Sequence, residues 1–129
     1  LSQFQSIEKV VAVNAGLTKF PNGNELPPNL TSISLNNNGI NDFNFDGFPS
    51  LNNLEIILAM NNPINKINVN NLTSTIRNNS NILTIKFGDS IKKVSNFDEY
   101  MSELEKLEEE LPVDHFPMID PYDYSSFSF

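Results

Sequence analysis

The chain has 129 residues, 39% of them hydrophobic, and a formal net charge of −8 at pH 7, which suits one domain or a part of a longer array. It contains no cysteine, which excludes disulfides and thiolate metal sites, and no apolar run approaches the roughly 20 residues of a membrane span. Residues 1–97 hold six acidic and seven basic side chains and residues 98–129 hold ten acidic and one basic, so no basic patch supports nucleic-acid binding.

The first patterned segment is irregular. Its apolar residues Ile7, Val10 and Ala12 have the spacing of a short strand, and a turn follows before the next apolar residue, Leu17. The two prolines at positions 27–28 then rule out a helix in the connection to the next strand.

The segment 30–40 sets the pattern for the following residues. A predicted strand and a polar turn carry, in order, Leu30, Ile33, Leu35, Asn38 and Ile40. The same offsets return 24 residues later, at Leu54, Ile57, Ala59, Asn62 and Ile64. This pattern, L-x-x-L-x-L-x-x-N-x-L, resembles the leucine-rich repeat family. A more degenerate copy begins at Ile82, where Ser90 stands in place of the asparagine.

The resemblance covers residues 7–94 and implies an α/β solenoid. We expect a short right-handed coil of about four leucine-rich repeats, with a parallel β-sheet on the concave side, a C-terminal capping helix and an irregular acidic tail. The expected repeat domain is 1–94, with repeats near 7–29, 30–53, 54–81 and 82–94. Asn38 and Asn62 are expected to form a structural ladder, in which side-chain amides bond the backbone of neighbouring turns.

Two features are expected within the repeats. Phe43 and Phe48 are predicted to be core residues in an aromatic row along the solenoid. Residues 72–77 are predicted to form a short helix, with Asn71 as its N-terminal cap.

Residues 95–112 have the pattern of the capping helix. Ser95 is a candidate cap, with Asp98 three residues on as its reciprocal partner. One helical face is apolar, and it comprises Met101, Leu104, Leu107 and Leu111. Pro112 ends the helix. The opposite face is acidic and is typical of a solvated surface.

Residues 113–129 form an acidic-aromatic tail without periodicity. Two interpretations stay open. The tail packs back on the repeats or continues into a further domain, or it is a linear motif that becomes ordered on a partner.

The sequence predicts no catalysis, cofactor or metal site. The single histidine, His115, lies in the irregular tail, and no G-x-S-x-G, calcium-loop or phosphate-loop motif is present. The carboxylates at 108–110 lie on the predicted exposed helix face, where no feature separates their pKa values.

The candidate site is the concave face. In each predicted strand, the residues between the inward apolar positions point to that side. They are Val11, Val13, Ser34, Asn36, Leu58, Met60, Lys86 and Gly88, all but the last predicted to bind protein. Valine, leucine and methionine on a solvated sheet face indicate a surface for protein contact. The alternative is that the C-terminal tail or a flanking segment covers them.

The leading functional hypothesis is a non-catalytic module for protein–protein recognition, with a protein or peptide as its partner. One alternative is a structural component of a larger assembly, anchored by the acidic-aromatic tail. Another is the recognition fragment of a receptor or kinase whose catalytic domain is not in this chain. The absence of cysteine leans to an intracellular location, because extracellular members of the family often carry cysteine caps. The three Asn-x-Ser/Thr sites match the number expected by chance from 21 asparagines.

Overall fold

The computed structural model describes residues 3–79 and 83–110. Within these ranges the chain forms six short strands, two α-helices and three 3-10 turns. The strands are β1 Lys9–Val11, β2 Ser32–Ser34, β3 Asp42–Phe43, β4 Ile56–Leu58, β5 Lys66–Ile67 and β6 Thr84–Lys86. The α-helices are α1 Leu72–Asn78 and α2 Phe97–Glu110, and the 3-10 turns are Gly23–Glu25, Phe48–Ser50 and Gly88–Lys93.

Four of the strands form one parallel sheet, in the order β1-β2-β4-β6. The register places Val10, Ile33, Ile57 and Ile85 side by side across it. The pairing of β2 with β4 joins residues 24 positions apart, for example Ile33 and Ile57, which is the offset of the sequence pattern. The predicted parallel sheet is therefore confirmed, and each strand lies next to the strand that precedes it in the pattern.

A second parallel sheet of two strands was not predicted. Asp42 in β3 pairs with Lys66 in β5, and Phe43 pairs with Ile67. The side chain of Asn96 continues this sheet, because its Oδ1 accepts a hydrogen bond of 2.9 Å from the Ile67 N–H and its Nδ2 donates to the Ile67 carbonyl. Strands of two residues are too short for an alternating pattern, so the sequence carried no signal for them.

The hydrophobic core lies on one side of the four-stranded sheet, between it and the smaller sheet. Aromatic rings run through this core: the Phe20 and Phe43 centroids lie 4.1 Å apart, Phe43 and Phe87 4.9 Å, and Phe87 and Tyr100 6.0 Å. The predicted core role of Phe43 and Phe48 is confirmed, since both are fully buried in the core cluster. By dispersion and edge-to-face contacts, the rings connect Phe43 in β3 with Phe20, with Phe87 just after β6 and, through Phe87, with α2.

The short helix α1 forms where it was predicted, but the predicted cap is wrong. Asn71 has a left-handed backbone with φ of 67° and makes no capping bond with its side chain. Its carbonyl instead accepts hydrogen bonds from the N–H and the hydroxyl of Thr75, at 2.9 and 2.6 Å. The left-handed geometry, which asparagine tolerates, turns the side chain away from the helix N-terminus.

Helix α2 also forms, but it begins one residue later than the predicted cap at Ser95 requires. It begins at Phe97, so Asn96 rather than Ser95 precedes it. The Asn96 carbonyl accepts a bond from the Tyr100 N–H at 3.1 Å, and its side-chain amide donates to Glu99 Oε1 at 2.9 Å. The contact with Ile67 decides between the two positions, because it fixes Asn96 against β5.

The predicted apolar face of α2 is confirmed for its described part. Leu104 and Leu107 are buried in the core cluster, and the half-buried Met101 packs against it. Leu111 and the predicted tail at 113–129 lie outside the described residues. Neither α1 nor α2 is long and apolar enough to cross a membrane, and they are the α-helices of the described ranges.

Candidate functional site

Two asparagine side chains join the turns that follow the strands. Asn62 accepts hydrogen bonds at Oδ1 from the N–H groups of Asn38 and Ile40, at 3.2 and 3.3 Å. Its Nδ2 donates to the carbonyls of Leu35 and Ala59, at 2.9 and 3.1 Å. Asn38, Ile40 and Leu35 belong to the turn that follows β2, so the Asn62 amide joins the turn after β4 to the turn after β2.

Asn38, in the turn after β2, makes the same set of contacts with the turn after β1. Its Oδ1 accepts from the N–H groups of Ala15 and Leu17, at 2.9 and 3.1 Å, and its Nδ2 donates to the carbonyls of Ala12 and Leu35, at 2.8 and 2.9 Å. These are the contacts that the ladder interpretation requires. In the later, degenerate copy, the Ser90 hydroxyl donates to the Phe87 carbonyl at 2.9 Å and so keeps one contact of the set.

In the turns after β1, β2 and β4, an asparagine with a left-handed backbone conformation comes directly before the ladder position. Asn14, Asn37 and Asn61 have φ values of 54°, 60° and 57°. Asn14 therefore corresponds to Asn37 and Asn61 and provides the reversal of the chain. Asparagine is suited to this position because it adopts the left-handed region at low cost.

The sheet has a second face, opposite the core. Side chains alternate along a strand, so the neighbours of the inward Ile33, Ile57 and Ile85 point away from the core. The resulting outer face consists of two rows: Val11, Ser34, Leu58 and Lys86, then Val13, Asn36, Met60 and Gly88. The structure thus brings together all of the predicted protein-binding residues on one face.

Solvent exposure divides the outer face into two parts. Val11 and Val13 in and after β1 are 59% and 38% exposed. Leu58 and Met60, in and after β4, are 0% and 7% exposed. The expectation that all four form one exposed patch is therefore wrong for Leu58 and Met60. The sequence determines the direction of a strand side chain, whereas its exposure depends on what lies above it.

The polar residues of the outer face are also buried. Ser34 and Asn36 are largely inaccessible, although a solvated row was expected there. Asn36 accepts a hydrogen bond at Oδ1 from the Met60 N–H, at 2.8 Å, and so pairs with the backbone beyond the end of β4. This contact gives Asn36 a structural role. Lys86, at the other end of the row, is half-buried.

The exposed part of the outer face adjoins a sheet edge. β1 is an edge strand, since among the described strands it pairs with β2 alone. Phe4, which precedes β1, is 44% exposed. Sequence reasoning missed Phe4, because it lies in a segment without pattern; its aromatic side chain among polar neighbours was the available signal.

Outside the outer face, the described residues form few features suited to metal or ligand binding. They contain no group of three or more His, Asp or Glu side chains that could hold a metal ion. Two shallow clefts of about 360 and 270 Å³ lie near Lys19 and Lys93, and each is lined by one lysine, one aspartate, two or three asparagines and other uncharged residues. His115 lies outside the described residues.

One polar atom of the core is unusual. Tyr100 is fully buried, and among the described residues its hydroxyl has no hydrogen-bond partner. Burial raises the pKa of Tyr100 far above its usual range. The hydroxyl lies within the core and not on the outer face, so we assign it no part in binding.

Comparisons with known proteins gave no relative. No family model matches the chain, and neither a curated protein nor a solved structure is significantly similar to it.

Proposed function

We propose that this chain is a short leucine-rich repeat coil that acts as a non-catalytic protein-recognition module. The partner is a protein or peptide, bound at the outer face of the four-stranded sheet. The observation that carries the proposal is the exposure of Val11 and Val13, at 59% and 38%, on a sheet face that turns away from the core.

The repeat part of the proposal has support from the sheet and the amides. β2 and β4 pair in parallel over the 24-residue offset of the pattern. Asn38 and Asn62 contact the backbone in the same way one level apart. Stacking of units is how repeat proteins present extended binding surfaces, and the exposed part of the outer face is at Val11 and Val13.

The chemistry of the exposed part favours a protein partner. Val11 and Val13 offer apolar surface and no hydrogen-bonding group, so contact with them gains free energy mainly by removing apolar area from water. Phe4, which precedes β1 in the chain, is a further exposed apolar side chain. The adjoining β1 edge adds backbone groups that an extended segment of a partner can pair with.

A displayed library of genomic fragments provides a test in which the partner need not be identified beforehand. Fragments enriched on the immobilised chain are purified, and their affinities are measured for the unaltered chain, for Val11→Asp with Val13→Asp, and for Thr18→Asp. Thr18 is exposed like the valines but lies outside the two rows of the outer face, which makes it the matched control.

We expect at least one fragment that binds saturably, loses tenfold or more in affinity with the valine double variant, and is unaffected by the Thr18 variant. Circular dichroism must show the same fold for all three chains. If every fragment binds the double variant as well as it binds the unaltered chain, the outer face is not the recognition surface.

A role in a larger assembly is the second candidate, and the open edge of β1 favours it. Two sheet edges can pair directly, and such pairing is limited when an edge is short or charged. Lys9 gives β1 one charge, whereas Val11 beside it is apolar and exposed. Light scattering after size-exclusion chromatography distinguishes the two roles. A monomer supports the recognition module, and obligate association supports the assembly component.

A further inference from the structure

Two asparagines of the chain are followed directly by glycine, in the pairs Asn22-Gly23 and Asn38-Gly39. In such a pair the backbone nitrogen of the glycine can close a five-membered ring on the side-chain carbonyl carbon of the asparagine. Glycine has no side chain to hinder this approach, and its backbone is free to adopt the conformation required. The same chemistry is therefore available at a ladder residue, Asn38, and at Asn22, which precedes the 3-10 turn Gly23–Glu25.

The folded chain holds both reacting groups of the second pair against Leu17. The Gly39 N–H donates to the Leu17 carbonyl at 2.8 Å, and the Asn38 side-chain oxygen accepts from the Leu17 N–H at 3.1 Å. The Asn38 amide nitrogen also donates to the carbonyls of Ala12 and Leu35. The glycine nitrogen must lose its proton and the side chain must rotate onto it, so these bonds have to break before the ring forms.

The turn after β4 holds the same pair from the other side. Asn62 accepts hydrogen bonds at Oδ1 from the N–H groups of Asn38 and Ile40, the residues on either side of the Gly39 nitrogen. Hydrogen-bonded turns open by local fluctuation, at a free-energy cost between zero and that of global unfolding. The fraction of time that this turn is open therefore limits the rate of ring closure.

We propose that Asn38 is a site of spontaneous deamidation that reacts only when the turn after β2 opens. Once Asn38 is converted, the turn does not close again, so each reaction removes an opened molecule from the folded population irreversibly. Neither the reaction nor its structural consequence depends on the proposed recognition function.

The reaction needs only the chain and water. The Gly39 nitrogen forms a bond to Asn38 Cγ while the bond from Cγ to Nδ2 breaks, and Nδ2 leaves as ammonia with the proton that the glycine nitrogen lost. Water then adds to one of the two carbonyls of the cyclic imide and opens the ring. The product is aspartate, or isoaspartate in which the main chain passes through the former side chain. One water is consumed and one ammonia is released, with no oxidation or reduction.

A carboxylate at position 38 is a poor substitute for the amide. It can still accept hydrogen bonds, but it has no N–H to donate to the carbonyls of Ala12 and Leu35. Its charged oxygen would face these carbonyl oxygens at a half-buried position, which costs free energy. Leu35 keeps its bond from Asn62, so the main loss falls on Ala12, directly after β1.

The pair Asn22-Gly23 provides a matched comparison within the same chain. The Gly23 N–H donates to the Asp46 carbonyl at 2.7 Å, so this pair is also held in the folded state. Asn22 accepts at Oδ1 from the Asn24 N–H, at 2.9 Å. Aspartate keeps that acceptor and is as good a cap as asparagine. Conversion to aspartate is therefore tolerated at position 22 and not at position 38.

The test follows both pairs in the full chain by peptide mapping with mass spectrometry, at one pH and temperature. In urea that unfolds the chain, we expect similar rates at Asn22 and Asn38. Without urea, Asn38 should react about a hundredfold or more slowly, by a factor at least as large as the protection of the Gly39 N–H from hydrogen exchange. Equal rates with and without urea, or slowing well below that protection, would show that the reaction does not require opening.

Gly39→Ala tests the attacking nitrogen. A Cβ at Gly39 would meet only the Leu17 carbonyl oxygen, at 3.4 Å, so alanine fits the folded turn. The added methyl group hinders ring closure, so conversion of Asn38 in urea should fall about tenfold or more, with Asn22 unchanged. Gly23→Ala is unsuitable, because its Cβ would lie 2.5 Å from the Gly47 backbone. Undiminished conversion of Asn38 in Gly39→Ala would exclude this mechanism.

Asn38→Asp and Asn22→Asp reproduce the two aspartate products. We expect Asn38→Asp to unfold at lower urea concentration and to exchange the N–H groups of Ala15 and Leu17 at least tenfold faster. Asn22→Asp should behave like the unaltered chain. Unchanged exchange in Asn38→Asp, or an equal effect in Asn22→Asp, would overturn the proposed consequence.

An aged sample of the unaltered chain gives the same readout without a variant that has to fold. After incubation in urea and dilution, size-exclusion chromatography separates refolded from unfolded molecules, and peptide mapping is repeated on each fraction. Molecules converted at Asn38 should be at least tenfold enriched in the unfolded fraction, and those with aspartate at position 22 should not be. Equal proportions of converted Asn38 in both fractions would show that the product allows the turn to close.

Discussion

The amide of Asn62 offers the sharpest test of how the turns are held together. Asn62→Ala removes the acceptor for two N–H groups, those of Asn38 and Ile40, and the donor for the carbonyls of Leu35, Ala59 and Met60. Asn62 is itself buried, so water cannot easily replace these bonds. Asn65→Ala is the matched control, because Asn65 is exposed three residues further along.

The magnitude follows from the groups left without partners. Each buried polar group that loses its hydrogen bond costs about 1–3 kcal/mol. Ile40 is fully buried, and the Leu35 carbonyl keeps its bond from Asn38. Counting the two N–H groups as the main loss, we expect Asn62→Ala to lower the free energy of unfolding by about 3–5 kcal/mol. The Asn65 variant should change it by less than about 0.5 kcal/mol.

Urea titration followed by circular dichroism measures both variants. The slope with denaturant should stay the same, so that the shift in midpoint reports stability. A loss of less than about 1 kcal/mol for Asn62→Ala would refute the reasoning, because it would show that the amide does not hold the turns together. A loss for Asn65→Ala equal to that for Asn62→Ala would refute it as well.

Three further predictions concern the core and the start of α2. Phe43→Ala should lower the free energy of unfolding by about 3–5 kcal/mol, since Phe43 is fully buried between other rings; a loss below about 1 kcal/mol in urea titration would contradict this. Asn96→Ala should cost about 2 kcal/mol and Ser95→Ala under about 0.5 kcal/mol, and the reverse order in thermal unfolding would restore Ser95 as the cap. Tyr100→Phe should stabilise the fold by about 1 kcal/mol at pH 7, because it removes a buried hydroxyl without a described partner. Burial raises the pKa of Tyr100 in the folded state. Ionisation of Tyr100 therefore favours the unfolded chain, so the free energy of unfolding is unaffected by it below the unfolded pKa of about 10 and falls as the pH rises above that value. The Phe variant should lose less stability in alkaline titration, and an equal loss of stability would exclude this cause.

The sequence predicted the parts of the fold that depend on repeated local spacing. Strands β2 and β4 lie where alternating apolar residues placed them, and the contacts of Asn38 and Asn62 follow from their position after each strand. Both features come from short-range pattern, which is preserved when the chain folds.

Features that depend on contacts between distant residues were not predicted. The pairing of β3 with β5 involves two residues per strand, and no pattern identifies so short a strand. Asn96 precedes α2 because its side chain bonds Ile67, which lies 29 residues earlier. A capping pattern based on spacing alone fits Ser95 with Asp98 and Asn96 with Glu99 equally well.

For the candidate site, the sequence predicted the direction of the side chains but not their exposure. Alternation correctly placed Val11, Ser34, Leu58 and Lys86 on one face of the sheet. It did not reveal that Leu58 is buried and Val11 exposed, since burial on an outer face depends on chain that lies elsewhere in the sequence. Phe4 was missed for a related reason: it precedes β1 in an unpatterned segment, whose path determines its exposure.

Amide hydrogen exchange on the full chain, with and without a saturating binding fragment, tests the recognition surface most directly. The proposal predicts slower exchange in residues 9–14 on binding, because the partner contacts Val11 and Val13 and the edge of β1. It predicts no change in α1, which packs against the 3-10 turn Phe48–Ser50 and α2. Protection confined to α1 or α2, with residues 9–14 unaffected, would contradict the assignment of the outer face as the binding surface.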